Sequence, residues 1–185
     1  MARVPSRDKD DLDPEFHEYL VSSLQPGKPV NVYAAVGNNP AVLRGLRQFL
    51  GSLWTDSGLT DREREIVILT AATELRNEYE WHQHCNIAPD AGLTADEVAA
   101  IARDDHSHFT QPERALIAYA RAVVRGRVTE PLHAAVDEHY DHETLAGAAA
   151  TAAGYACLGL LIDAFGVEIE ADDEFVGWDL SGRQD

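Results

Sequence analysis

No stretch of this chain alternates apolar with polar residues over the length of a strand between two turn signals. The run Ile66-Val67-Ile68-Leu69 is apolar enough to be a buried strand if taken alone. It follows a capping box, however, and precedes the helix-forming residues Ala71 to Arg76, so the pattern predicts a helix. Thr60 with Glu63, Thr94 with Glu97 and Thr110 with Glu113 each place a hydroxyl three residues before a glutamate. The hydroxyl accepts from an orphan backbone N–H, and the carboxylate favours the positive helix end. Thr129, followed by Glu130 and Pro131, is a looser start of the same kind. Asn39-Pro40 opens a helix through Trp54 that ends near Gly58. A further helix is predicted from Asn77 to Ala91, stopped by Gly92. Asp141 opens a long Ala-rich helix that ends at Gly166. From Leu145 to Ile162 this last helix carries no charge, yet it is mostly Ala, Gly and Thr and is closed by Asp163. That composition predicts a central buried helix, with small residues allowing close neighbours, in preference to a membrane span. The fold class expected is all-α.

At 185 residues, 45% hydrophobic and 25% charged, the chain suits one well-buried domain. A formal net charge of -17, concentrated at Asp8 to Glu15 and Glu168 to Glu174, disfavours nucleic acid and anionic membrane as partners. It also repels an anionic substrate unless a local arginine offsets the field. Cys85 and Cys157 fall in different helical segments, and the N-terminal residues have no apolar core of a signal peptide. The compartment expected is the reducing cytoplasm.

The candidate chemistry lies in Asn77-Glu78-Tyr79-Glu80-Trp81-His82-Gln83-His84. Residues four apart share a helix face, so Glu80 and His84 are neighbours, on a face continued by Ile87 and Ala91. Burial raises a carboxyl pKa and a nearby carboxylate raises that of histidine. Both shifts move proton exchange toward neutrality, as general acid–base catalysis needs. An exposed ion pair fits the same spacing, and Glu78 with His82, on another face, suits that description better. Glu65, in the first turn of its helix, heads a face continued by Leu69, Ala72 and Arg76 and is expected to be half-buried. The two Glu/His pairs face apart, the wrong arrangement for one metal site, so no metal is expected. Tyr79 and Trp81 are candidates to line a pocket. Arg76, Arg44 and Arg47 are candidates to hold a substrate carboxylate. His106 and His108 lie in a polar loop.

The segments Leu59-Thr60-Asp61-Arg62-Glu63-Arg64-Glu65, Tyr79-Glu80-Trp81-His82-Gln83-His84 and Ala91-Gly92-Leu93-Thr94 together resemble the carboxymuconolactone decarboxylase family. Phe109 to Leu116 and Phe165-Gly166-Val167-Glu168 resemble its later helices, so the likeness spans roughly Asn31 to Glu170. Redox members of that superfamily, the alkylhydroperoxidase D-like enzymes, carry an upstream Glu and then Cys-x-x-Cys-x-x-x-His. Aligned on His84, the cysteine positions fall on Asn77 and Glu80 and the upstream Glu on Glu65. Both redox cysteines are therefore missing, and Cys85 points about 100° from His84 around the helix.

The resemblance thus implies the decarboxylase branch: a compact multi-helix bundle working without cofactor on a small organic acid or lactone. Its site would hold His84 as proton-transferring group, Glu80 as partner acid and Glu65 as orienter or relay. Tyr79, Trp81 and Arg76 would contact substrate. It further implies a homo-oligomer, a trimer, hexamer or dimer. A thiol-dependent peroxidase and a non-catalytic helical scaffold are the alternative readings. The helical domain is expected over 31–170, between an acidic N-terminal extension, 1–30, and an acidic tail, 171–185. The extension is expected to be flexible or to contact a neighbouring subunit.

Overall fold

The computed structural model describes residues 2–21, 30–171, 173 and 175–178. Among them are eight α-helices, two short 3-10 helices (Lys9–Asp11 and Pro14–Leu20) and no strand. The α-helices are α1 Asn31–Val36, α2 Pro40–Thr55, α3 Asp61–Leu75, α4 Glu78–Ile87, α5 Ala95–Ala102, α6 Gln111–Val124, α7 Glu130–Asp137 and α8 His142–Phe165. The chain is all-α, as the pattern predicts.

Helix α3 is the centre of the bundle. Arg64 through Ala72 are buried without a break, because α4, α5, α6 and α8 pack around it. The three capping boxes close as expected, each with both of its hydrogen bonds. Their glutamates also do a second job. Arg62 donates from Nη2 to Glu97 Oε1 at 2.5 Å, from Nε to Glu113 Oε1 at 2.7 Å and from Nη1 to the Gly92 carbonyl at 2.7 Å. One guanidinium therefore ties the start of α3 to the starts of α5 and α6, and it holds the Glu97 carboxyl down at about 2. Thr129 makes no side-chain cap bond, in keeping with its looser start.

Helix α4 ends at Ile87 and not at Ala91 as the spacing predicts. Pro89 is the reason: it has no N–H to donate, and its ring clashes with a helical carbonyl one turn back. The chain leaves through a turn in which Leu93 N–H donates to the Ala88 carbonyl at 3.0 Å and Gly92 takes a positive φ of 84°. Within the stretch read as an acidic extension, the described residues 2–21 bury Leu12 and Leu20 with α2 and α8 in the core, and Phe16 and Tyr19 pack on that cluster. Residues 22–29 and 179–185 of the two acidic ends lie outside the described residues.

By length and composition α8 is able to cross a bilayer, but half of its most apolar stretch is buried in this fold, as in a core helix. Its small residues permit close approach. A Cβ built at Gly147 would stand 1.9 Å from the Ser57 carbonyl oxygen, in the backbone leading into α3. Gly147→Ala is therefore expected to lower stability by about 1–3 kcal/mol, since backbone cannot yield as a side chain does. Gly45, exposed in the middle of α2, meets nothing within 4 Å. There the same substitution should raise stability by roughly 0.5–1 kcal/mol. Thermal melts of the two variants check both signs.

Candidate active site

The capping box at Thr60 sets the phase of α3 and turns Glu65 inward, where it is fully buried (0% exposed). The half-exposure expected for a first-turn glutamate does not hold, because α4 and α8 close over this face. After α3 the chain reverses through Arg76, which adopts the left-handed conformation (φ 53°) as C-cap. Asn77 then starts α4: its Oδ1 accepts from Glu80 N–H at 2.9 Å, and its Nδ2 donates to the Gly159 carbonyl of α8 at 3.0 Å. That double attachment fixes the rotation of α4, so Glu80 and His84, one turn apart, face α3.

The three ionisable residues converge. His84 Nδ1 lies 2.8 Å from Glu65 Oε2, and His84 Nε2 lies 3.6 Å from Glu80 Oε2. The first is a charge-assisted hydrogen bond; the second is an ion-pair distance that one proton or small shift would close. Glu80 and His84 are each 4% exposed. Glu65 Oε1 is buried with no hydrogen-bond partner among the described residues, so this carboxylate is held by histidine alone.

Burial raises the Glu80 carboxyl; the His84 charge pulls it back, and Glu65 and Glu170 raise it further, to about 7. For His84, burial acts downward but the Glu65 carboxylate prevails, through charge and hydrogen bond, and the net shift is upward. With Nδ1–H committed to Glu65, the neutral ring presents Nε2 as a base toward Glu80 and the cavity.

His84 and Glu80 line a cavity of about 260 Å³. Its apolar walls include Val32, Leu50, Ile87 and Leu158, and its aromatic walls are Tyr33, Trp54, Tyr79 and Tyr155. Glu65 is not on this surface but stands behind His84. Among the described residues, Arg47 is the single arginine or lysine that lines the cavity. It stacks on Tyr33 with 4.3 Å from guanidinium carbon to ring centre, donates to Tyr33 Oη at 3.2 Å and to the Val21 carbonyl at 3.1 Å, and keeps Nε buried without an acceptor among the described residues. The other arginine considered on α2, Arg44, is spent at the surface on Glu15 and Phe16.

Tyr79 lies on the cavity wall as expected, its hydroxyl donating to Glu170 at 2.6 Å. Two other residues expected to contact substrate lie off the cavity. Trp81, fully buried, donates to the Gly177 carbonyl at 2.7 Å and stacks on Trp178, so its indole is committed to the C-terminal segment. Arg76 is turned outward by its left-handed backbone and sits over the same Trp178 ring, at 5.0 Å. The Glu78–His82 pair is not an exposed pair either: Glu78 is exposed, while His82 is buried and faces Asp173 at 3.8 Å. Cys85 is buried in the apolar cluster around Trp81, and Cys157 is exposed on α8. His106 pairs with Asp104 at 2.8 Å in its loop, partly exposed. Among the described residues, no three His, Cys, Asp or Glu side chains are grouped to hold a metal ion.

The residues that sequence spacing leaves out are Tyr33, Trp54 and Tyr155. They come from α1, α2 and α8, which meet only in three dimensions. Part of a signal existed on α2, where Arg47, Leu50, Gly51 and Trp54 share one helical face.

A sequence model of the carboxymuconolactone decarboxylase family matches residues 40–122, from α2 into α6, and so includes Glu65, Glu80 and His84. No curated protein matches. Among solved structures, an alkylhydroperoxidase AhpD core protein from Ralstonia eutropha is similar at 20% identity over 96% of each chain, with a TM-score of 0.82. A variant of the debrominase Bmp8 in complex with 2,3,4-tribromopyrrole is similar at 17% identity over 91% of each chain, with a TM-score of 0.79. A peroxidase-related protein from Silicibacter follows at 14% identity, covering 92% of this chain and 93% of its own, also with 0.79. At these identities the likeness is one of fold.

The shifts at Glu80 and His84 have one sign for stability. Both groups hold protons in the folded chain to higher pH than in the unfolded chain. Stability from this cluster is therefore present at acid pH and lost as pH rises through the folded values, about 7 for Glu80. Glu80→Gln, which never ionises, should be more stable than the wild type above that pH, by on the order of 1–3 kcal/mol. The advantage should fade as pH falls toward the ordinary carboxyl value of 4.5. Melting temperatures of the two proteins across pH measure it; a difference independent of pH would show that Glu80 ionises as it does in solvent.

Proposed function

We propose that this chain, which matches the carboxymuconolactone decarboxylase family model over residues 40–122, is a cofactor-free acid–base enzyme acting on a small organic acid or lactone. The observation that carries the proposal is the buried Glu65–His84 hydrogen bond at 2.8 Å, with the other ring nitrogen turned toward Glu80 and the cavity. Glu65 orients the imidazole and stabilises its protonated form. His84 Nε2 takes a proton from carbon next to a carbonyl, or returns one to an enolate carbon. Glu80, poised near neutrality, is the second acid.

Arg47, with Tyr33, holds the substrate's carboxylate, offsetting the chain's overall negative charge where an anion must enter. In decarboxylation, the electrons of the breaking carbon–carbon bond pass into the enolate as carbon dioxide leaves, and His84 then protonates carbon. Elimination or isomerisation would begin with His84 as base. The aromatic walls and the volume of about 260 Å³ support a small planar ring as occupant. The Bmp8 neighbour likewise holds a small ring, 2,3,4-tribromopyrrole. Assembly into a homo-oligomer belongs to the same proposal.

The test is a panel of small carboxylated lactones and keto acids incubated in deuterated water and followed by NMR. Deuterium uptake or carbon dioxide release is expected with at least one of them. His84→Gln should lower kcat by about 10²- to 10⁴-fold. A variant with near-normal kcat and an unchanged pH profile would make His84 a packing residue.

Thiol peroxidase chemistry is the competing reading within the fold, and the cysteine geometry speaks against it. Asn77 and Glu80 stand where the redox pair would be, and Cys85 is packed among apolar side chains. The variant Cys85→Ser, Cys157→Ser should keep full turnover. Loss of activity with the helical circular dichroism intact would restore the thiol mechanism.

A further inference from the structure

Three tyrosines line the cavity, and they differ in their hydrogen-bond partners and in their distance from His84. Tyr79 gives its proton to Glu170. Tyr33 accepts from Arg47 at the end of the cavity assigned to the carboxylate. Tyr155, on α8, accepts a hydrogen bond from Trp54 Nε1 at 2.7 Å. An indole N–H can only donate, so the phenol oxygen here is the acceptor and its own O–H points elsewhere. Among the described residues that O–H has no acceptor, although Tyr155 is only 6% exposed. Its ring meets His84 edge-on, with centroids 5.1 Å apart. A buried donor without an acceptor, beside the proton-transferring group and on the wall of the cavity, is a place for a ligand oxygen.

We infer that Tyr155 is the oxyanion donor of this site, giving its hydrogen bond to the substrate carbonyl oxygen that becomes negative when His84 removes the adjacent proton. The inference rests on the acid–base reading of His84 and names what that reading lacks. As the carbon–hydrogen bond breaks, its proton goes to Nε2 and its electron pair moves into the carbonyl, leaving charge on oxygen. Tyr155 meets that charge without giving up its proton. Burial, reinforced by the nearby Glu80 charge, keeps its phenol neutral well beyond the ordinary range, so the donor is always loaded.

Trp54 is a positioning residue. Its indole donation polarises the phenol and fixes the rotation of the hydroxyl. Trp54 is itself clamped by the Arg64 guanidinium 4.0 Å above its ring, and Arg64 by Asp61 at 2.7 Å. The substrate class that fits is a small ester, lactone or ketone with an acidic carbon–hydrogen bond beside the carbonyl. A separate anionic group would reach Arg47.

The probe is para-nitrophenolate, a planar oxyanion whose absorption band reports hydrogen bonding at its oxygen. It is titrated near neutral pH into the wild type, Tyr155→Phe, Trp54→Phe and His84→Gln, with folding followed by melting temperature. Tyr155→Phe should bind about 10- to 100-fold more weakly, the value of a hydrogen bond to a charged group. Its bound probe should absorb at longer wavelength than in the wild type. Trp54→Phe should lose less, within about 10-fold, since it alters the donor without removing it. His84→Gln should retain the band position seen in the wild type. Equal affinity and an identical band in wild type and Tyr155→Phe overturn the inference, as does failure of the wild type to bind. If Tyr155 behaves as stated while His84→Gln turns over normally, the donor stands and the acid–base reading falls.

Discussion

The structure depends on a carboxylate placed where water cannot reach it. Glu65 is wholly buried in the middle of a four-sided packing of helices, and an unpaired charge there would be untenable. Among the described residues only the His84 imidazole meets it, so the position and rotation of α4 are bound to the stability of α3. The turn between them serves that requirement. Arg76 accepts a left-handed conformation, and Asn77 holds the first turn of α4 with one side-chain atom and α8 with another. Breaking the pair from either side would leave a buried polar group uncompensated.

That constraint orders the chemistry outward from the core. Glu65 stands behind the histidine and does not touch the cavity; His84 and Glu80 form its ionisable wall; the aromatic residues and Arg47 lie on the rest. A chain of strongly negative net charge keeps Arg47 on this wall, where an anion would need it. The positions at which redox relatives would carry cysteines are used otherwise. Asn77 caps a helix and Glu80 faces histidine, so the same backbone frame presents titrating groups in place of thiols.

Local sequence determined much of this. Capping boxes marked the starts of α3, α5 and α6, because a hydroxyl and a carboxylate three residues apart satisfy neighbouring orphan N–H groups without help from the rest of the chain. Spacing of four put Glu80 beside His84 for the same local reason, and the similarity of the Glu65 and His84 segments to one family tied two separate helices together. Spacing is silent on which side of a helix faces the core. Trp81 and Arg76 lie within four residues of Glu80 in sequence, yet one turns into the core and the other outward, onto the same Trp178 ring. Pro89 shortened α4 through a covalent constraint that the face pattern does not register.

What only the tertiary structure decided is the remainder of the cavity. Tyr33, Arg47, Trp54 and Tyr155 come from three helices, and the Trp54–Tyr155 hydrogen bond alone joins residues 101 positions apart. The close approach at Gly147 brings α8 against the backbone leading into α3. Such contacts arise from packing, where each helix is placed by all the others, so no window of sequence contains them. The chain by itself set its helices and its Glu80–His84 pair; packing set the depth at which Glu65 is buried and the direction in which Tyr155 is free to donate.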